Sequence, residues 1–211
     1  MGYADRPLIE YLNDASSAKP APGGGSVSAL VGALGSTMAQ MSANLTVGKE
    51  EYRDVEGEVV ELLERCQESC AKFLELMEKD IECYSVVAAA YKLPRGTPDE
   101  KAQRSRKIQE ALKIAMQAPL EICRQALYFA SSARSLAEIV NPRLLSDVGV
   151  AAVLARAAFQ AAKLNVQVNL ASLKDRELVL KTSNEVEDAE REVNALVEVT
   201  LERVAKEIAG T

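Results

Sequence analysis

The chain has 211 residues, enough for one domain with a substantial core of its own. Aromatic residues make up only 4% of it, and Ala, Leu, Val, Glu and Lys dominate, which is typical of packed helices and excludes a sandwich or a barrel. The net charge of -6 without a basic stripe excludes a general nucleic-acid surface. Histidine is absent, so acid-base chemistry falls to carboxylates, Lys or Tyr.

A short helix over Pro7 to Asn13 is predicted to open the chain, followed by a turn rich in proline and glycine. This turn, Pro20 to Ser26, precedes a helix of small residues from Ser26 to Leu45. Five of the eleven glycines lie between Gly23 and Gly35, where the backbone must approach something closely. Free N–H groups at a helix start attract anions, so the turn is either a ligand site or a flexible turn before a packed core helix.

Long helical patterns fill the rest of the chain and predict an all-α bundle of five or six long helices, in a single domain over residues 1–211. Forty helical residues extend about 60 Å, whereas a compact chain of this size is roughly 43 Å across. The longest helix therefore either bends or continues against a second subunit, and we expect a homodimer through long helices. The predicted helices span Tyr52–Lys92, Pro98–Ile139 with a kink or break at Pro119, Ser146–Leu173, and Thr182 or Ser183 to Ile208.

No targeting or membrane segment is expected. Met1 to Asp14 lack a basic start followed by an apolar core, and no apolar run reaches the roughly 18 residues that span a bilayer. We therefore expect a cytoplasmic protein with no membrane partner. The cysteines lie inside helical patterns without a Cys-x-x-Cys motif, which favours free core thiols over metal ligands; they are Cys66, Cys70, Cys83 and Cys123.

Asp80 interrupts an apolar helical stripe, since it lies three residues after Met77 and four before Tyr84. Helical geometry places its carboxylate at least partly out of water, where desolvation raises the pKa of the acid toward neutrality. Such a group is a useful acid-base residue. The alternative is a carboxylate neutralised by Lys79, Lys49 or an Arg in an ordinary buried network.

Two asparagines one turn apart, Asn165 and Asn169, lie in an otherwise apolar helix, and buried amides need partners. Interhelical hydrogen bonding and ligand binding explain them equally well. Asp147 lies in the first turn of the same helix, where complementing the helix dipole is a sufficient explanation. Several basic residues are expected to be solvated, although any one could meet a carboxylate on a ligand: Lys92, Arg95, Arg134 and Lys174.

A series of short motifs, taken in order, resembles the cyclodeaminase/cyclohydrolase family, which includes the C-terminal domain of formiminotransferase-cyclodeaminase. The resemblance covers nearly the whole chain. Each motif is weak alone, and their joint order and spacing make the match specific. They are Pro22-Gly23-Gly24-Gly25-Ser26, Val47-Gly48-Lys49, Lys79-Asp80, Tyr91-Lys92-Leu93-Pro94, Ser146-Asp147-Val148-Gly149-Val150 and Asn165-Val166-Gln167-Val168-Asn169.

The resemblance implies a helical homodimer that acts on one-carbon groups of tetrahydrofolate, with no metal and no cofactor beyond this folate substrate. A cyclohydrolase opens the methenyl bridge with water, and a cyclodeaminase closes it with release of ammonia. We rank the cyclohydrolase first because no formiminotransferase domain precedes the motifs; a non-catalytic helical interaction protein is a further alternative.

The resemblance also implies roles for individual residues. It makes Asp80 the acid-base group, and Lys49 a residue that tunes Asp80 or holds a substrate carboxylate. The remaining positions are implied to contact the substrate: Gly24, Gly25, Ser26, Tyr84, Asp147, Asn165 and Asn169.

Overall fold

The computed structural model describes residues 2–210, and no strand occurs within them. One short helix is followed by six long ones, so the predicted all-α bundle of five or six long helices is confirmed. Short 3-10 turns lie at Tyr3–Asp5, Glu50–Val55 and Pro142–Leu144. The helices are α1 (Leu8–Ala15), α2 (Gly24–Asn44), α3 (Glu56–Tyr91), α4 (Pro98–Ala115), α5 (Gln117–Ile139), α6 (Leu145–Ser172) and α7 (Arg176–Ala209).

The central helix is α2, which packs against α3, α5 and α6. Its small residues allow this close approach: a Cβ added at Gly32 would lie 2.6 Å from the ring of Phe73, and one at Gly35 would lie 3.0 Å from the Cβ of Leu154. Phe73 in turn meets Phe129 of α5 edge to face, with ring centroids 6.3 Å apart. The glycines of α2 therefore determine how closely the neighbouring helices pack against it in the core.

Several helix boundaries differ from the predicted ones. Helix α2 begins at Gly24, so two glycines lie inside its first turn. The helical pattern over Pro98–Ile139 is broken near Pro119 as predicted: it divides at Met116, so Pro119 occupies the first turn of α5, where a missing N–H costs nothing. Helix α7 starts at Arg176, earlier than expected, because the side chain of Asp175 caps the N–H of Leu178.

One helix is apolar on average, although charged residues interrupt its apolar runs. The helical stretch Pro142–Ser172 reaches a mean hydropathy of 1.4 over 18 residues, and is long and apolar enough to cross a membrane by those measures alone. Part of that window, 44%, is buried within the bundle, where α6 packs against α2, α5 and α7. Contact with three helices accounts for its composition as a core helix.

Candidate active site

A cavity of about 330 Å³ opens between the start of α2, the last turns of α3 and the end of α6. The Pro20–Gly25 turn forms one wall, and α3 contributes one polar stripe. The cavity therefore lies where three helix ends and one turn converge. Its lining residues are Pro20, Ala21, Gly23, Gly24, Gly25, Asp80, Tyr84, Val87, Tyr91, Leu112, Ala115, Asn165, Val168, Asn169 and Ser172.

The carboxylate of Asp80 lies against the first turn of α2. Its Oδ2 accepts a hydrogen bond from the backbone N–H of Ser26 at 2.9 Å. A Cβ added at Gly25 would lie 2.1 Å from Oδ1, so only glycine leaves room for the carboxylate at this distance. The free N–H groups and positive dipole of the helix start are therefore aimed at Asp80.

Burial raises the pKa of Asp80 above its ordinary value, and the N–H of Ser26 opposes that change only in part. No Lys or Arg forms an ion pair with Asp80 among residues 2–210. The alternative of a carboxylate neutralised by Lys79, Lys49 or an Arg is therefore wrong. What remains is a desolvated carboxyl group facing a cavity, as general acid-base chemistry requires.

A buried hydrogen bond from α1 supports the first turn of α2. Tyr11 of α1 is buried, and its hydroxyl donates to Oγ of Ser26 at 3.0 Å. Burial raises the pKa of Tyr11, so the phenol stays protonated and continues to donate. Since Ser26 is itself fully buried, this contact fixes the residue whose N–H reaches Asp80.

The two asparagines of α6 face the opposite wall of the cavity. Their Nδ2 groups donate to backbone carbonyls one turn earlier, at 2.9 Å each, Asn165 to Ala161 and Asn169 to Asn165. Each amide is thereby held in one orientation. A Cβ at Gly24 would lie 3.1 Å from Oδ1 of Asn165, so the amide also packs against the glycine turn. Neither hydrogen bond joins two helices, and both side chains line the cavity.

The third wall is aromatic. Tyr84 and Tyr91 follow Asp80 on the same side of α3, at spacings of four and seven residues. Both rings are partly exposed, 42% and 48%, and both line the cavity. A flat heteroaromatic ligand would find stacking surfaces here beside the carboxyl group.

Two of the predicted site residues lie elsewhere in the chain's fold. Lys49 follows the far end of α2, whereas Asp80 packs against its beginning, and a helix of 21 residues is about 30 Å long. Asp147 lies 18 residues before Asn165 on α6, about 27 Å away along the helix. Within one chain, the prediction that Lys49 contacts Asp80 is therefore wrong. The prediction that Asp147 contacts the same substrate as Asp80 is wrong for the same reason.

The other predicted residues come together around Asp80: Gly24, Gly25, Ser26, Tyr84, Asn165 and Asn169. Sequence reasoning missed Tyr11, Tyr91 and Ser172. Tyr91 lies in a motif that the resemblance rests on, and its seven-residue spacing from Tyr84 could have identified it. The partner of Tyr11 lies 15 residues away in a different helix, and no local pattern reveals it.

Comparisons with known proteins agree with this architecture. Residues 7–188 match the formiminotransferase-cyclodeaminase family. The chain is 37% identical over 198 residues to a methenyltetrahydrofolate cyclohydrolase of Methylorubrum extorquens, covering 94% of this chain and 95% of that one. It is 29% identical to the formimidoyltransferase-cyclodeaminase of Rattus norvegicus, of which it spans 34%. The structure of a formiminotetrahydrofolate cyclodeaminase from Thermotoga maritima superimposes with a TM-score of 0.81 at 33% identity, covering 99% of this chain and 98% of that one.

The fold and the match together define an all-helical enzyme of folate one-carbon chemistry. The chain belongs to the formiminotransferase-cyclodeaminase family, as its ordered motifs predict. Because the related proteins named above are enzymes, the predicted enzyme class is confirmed, and the alternative of a non-catalytic interaction protein loses its support.

Replacing Gly25 with Ala should destabilise the protein, because the added Cβ would overlap the carboxylate of Asp80. We expect the free energy of unfolding, measured by urea denaturation, to fall by about 1–3 kcal/mol. Gly57→Ala is the matched control, since a Cβ there meets nothing within 4 Å. Equal stability of the Gly25→Ala variant and the unaltered protein would contradict the close packing described here.

Replacing Asp80 with Asn should stabilise the protein at neutral and alkaline pH. Because the folded-state pKa of Asp80 is raised, its contribution to stability is complete below the unfolded-state pKa and is lost as pH rises through the folded-state value. Urea denaturation from about pH 4 to about pH 8 should show that the free energy of unfolding of the variant rises relative to that of the unaltered protein as pH rises. Asp54→Asn, at an exposed position, should show no such trend. If the Asp80→Asn variant instead lost stability relative to the unaltered protein as pH rises, Asp80 would not be desolvated.

Proposed function

We propose that this chain is a methenyltetrahydrofolate cyclohydrolase, which adds water to 5,10-methenyltetrahydrofolate and yields 10-formyltetrahydrofolate. The observation that carries the proposal is the desolvated carboxyl group of Asp80 on the wall of a cavity lined by tyrosines and amides. The relationship to the cyclohydrolase of Methylorubrum extorquens, over nearly the full length of both chains, supports the reaction.

The substrate is a cation, because the methenyl carbon joins N5 and N10 in an amidinium. An ionised Asp80 would stabilise this charge within a site of low dielectric. As water attacks the methenyl carbon, Asp80 accepts one of its protons, and a tetrahedral carbinolamine forms. Asp80 then returns that proton to N5 while the bond from N5 to the carbon breaks. The second proton of the water leaves as the carbonyl forms, and the formyl group remains on N10.

The walls of the cavity supply orientation. Tyr84 and Tyr91 would stack on the flat rings of the substrate, and the amide oxygens of Asn165 and Asn169 would accept hydrogen bonds from its polar edge. The bridging carbon is already electrophilic in the amidinium. The proposal therefore needs no cofactor beyond the folate substrate itself.

The second candidate is a formiminotetrahydrofolate cyclodeaminase, which the similarity to the Thermotoga maritima enzyme favours. In that reaction N10 attacks the formimino carbon on N5, and ammonia leaves after receiving a proton. Asp80 could move both protons, since the tetrahedral carbon again lies between N5 and N10. Purified protein given each substrate separates the two: loss of methenyl absorbance supports the cyclohydrolase, and ammonia release from the formimino substrate supports the cyclodeaminase.

We also propose that two copies associate through the outer face of α2. Helix α2 carries no charged residue, and its outer positions follow the alternating spacing of three and four residues that characterises a coiled-coil seam. Leu34, at the middle of this seam, is 49% exposed. We call these positions the α2 seam; they are Gly24, Val27, Val31, Leu34, Met38, Met41 and Leu45.

Helix α6 extends this apolar face alongside α2. Two of its charged residues, Arg156 and Lys163, pair with carboxylates of α7, and four of its apolar side chains remain exposed. The two helices side by side offer a face of about 30 Å by 20 Å, or roughly 1,200 Å² buried between two copies, which is within the range of stable interfaces. The exposed apolar residues of α6 are Val150, Val153, Leu164 and Val168.

Replacing Asp80 with Asn should lower kcat/KM for methenyltetrahydrofolate hydrolysis by about 10²–10⁴-fold, because the amide can neither accept nor return a proton. The rate is measured from the loss of methenyl absorbance after subtraction of the uncatalysed reaction. Glu82→Gln removes an exposed carboxylate two residues away on α3 and should retain turnover. Near-normal turnover of the Asp80→Asn variant with an intact fold would overturn the assigned role.

Replacing Leu34 with Glu should separate the dimer into monomers, because a symmetric seam would bury two like charges opposite each other. Sedimentation velocity at micromolar concentration measures the outcome. Leu180→Glu, at an exposed position of α7 outside the α2 seam, should leave the dimer intact. A monomeric unaltered protein, or a dimeric Leu34→Glu variant, would contradict the proposed interface.

A further inference from the structure

Gly23 is the first of three consecutive glycines, and neither its conformation nor its surroundings require a glycine. Its backbone is extended, with φ of -116° and ψ of -165°, which residues with a side chain also adopt. A Cβ added at Gly23 would meet nothing within 4 Å. A Cβ added at Gly24 or Gly25, by contrast, would lie 3.0 Å or less from a side chain of another helix. The glycine at position 23 therefore needs an explanation other than packing.

Position 23 is the N-cap of α2, where a side-chain oxygen ordinarily accepts a hydrogen bond from an N–H of the first turn. Two other helices of this chain follow that rule, and both cap the N–H three residues after the N-cap. Thr97 accepts from the N–H of Glu100 at the start of α4, at 3.2 Å. Asp175 accepts from the N–H of Leu178 at the start of α7, at 3.1 Å. Gly23 has no side-chain oxygen to offer.

Asp80 of α3 takes this position instead. The N–H three residues after Gly23 belongs to Ser26, and it donates to Oδ2 of Asp80 at 2.9 Å, across 54 residues of sequence. The side chain of Ser26 is fully buried and accepts from the hydroxyl of Tyr11 at 3.0 Å, so its backbone is held in one place. Because one N–H makes one strong hydrogen bond, a capping oxygen at position 23 would compete with Asp80 for it.

No ion pair accompanies this contact within residues 2–210, so burial and the N–H of Ser26 set the environment of Asp80. Helix α2 carries no charged residue, and α6 faces the cavity with two amides. The residues that α4 contributes to the cavity, Leu112 and Ala115, are apolar. The titratable side chains around Asp80 lie on α1 and α3, and they are Tyr11, Glu78, Lys79, Glu82, Tyr84 and Tyr91.

We propose that Asp80 is the N-cap of α2 in place of residue 23, and that the missing side chain of Gly23 leaves the N–H of Ser26 available to this carboxylate. Gly23 is then a positioning residue for the proton transfers of Asp80, a consequence that rests on the proposed function. A helix that carried its own capping side chain would not need the carboxylate at its first turn. Asp80 would lose a contact that both orients it and stabilises its ionised form.

Gly23→Ser and Gly23→Ala are a matched pair that tests this proposal. Both add a Cβ in open space, and only Gly23→Ser adds an oxygen that can cap α2. With 5,10-methenyltetrahydrofolate, the kcat of Gly23→Ser should be about tenfold or more below that of Gly23→Ala. The kcat of Gly23→Ala should stay within about threefold of that of the unaltered protein. Equal kcat values for the two variants would overturn the proposal, and a KM raised equally in both would show that glycine is needed for space instead.

Titration of Asp80 by carbon-13 NMR tests the N-cap assignment without turnover. The hydroxyl of the Gly23→Ser variant should take the N–H of Ser26 from the ionised carboxylate, so the pKa of Asp80 should be higher in this variant than in Gly23→Ala. Urea denaturation checks that both variants are folded. If the unaltered protein turns over no folate, the proposed function fails, whereas a higher pKa in Gly23→Ser still supports the N-cap assignment. The same pKa in the two folded variants would overturn it.

Discussion

The contact between the carboxylate of Asp80 and the first turn of α2 is the constraint on which the site depends. The carboxylate is far enough from water for its pKa to rise, yet the N–H of Ser26 and the dipole of α2 keep an ionised form accessible. This balance suits a group that must both accept and return a proton within one reaction. It exists only because Gly25 lacks a Cβ.

The same requirement shapes the rest of α2 and, through it, the bundle. A helix whose neighbours approach this closely must carry small residues, and Gly32 and Gly35 repeat the arrangement of Gly25 deeper in the core, against Phe73 and Leu154. Such a helix has no room for charges on its inner faces, and it carries none on its outer face either. One helix therefore supplies a wall of the cavity, the spacing of the core and the apolar seam proposed to hold a second copy. Val168 lies at the mouth of the cavity and also on the exposed face of α6, so association at that face would bear directly on access to Asp80.

Periodicity predicts the helical bundle well, because long amphipathic or apolar helical patterns fill most of the chain and leave few other folds open. It also identified Asp80, since a carboxylate on an apolar stripe conflicts with the pattern around it. The order of motifs along the chain does not say which end of a helix each one occupies, so it wrongly places Lys49 and Asp147 beside residues that lie about 30 Å away. The side chain of Asp175 caps α7 and sets where this helix begins, which the periodic pattern of apolar residues did not locate.

Direct titration of the Asp80 carboxyl group tests the central claim most simply. Carbon-13 NMR of protein labelled at the aspartate carboxyl carbon, with the Asp80→Asn variant to assign the signal, follows that one group with pH. The account predicts a pKa above the ordinary aspartate value of 3.8 in the free protein, and a lower pKa once the cationic methenyl substrate is bound. A carboxyl group that titrates at or below 3.8 in the free protein, and whose pKa is insensitive to substrate, would contradict it.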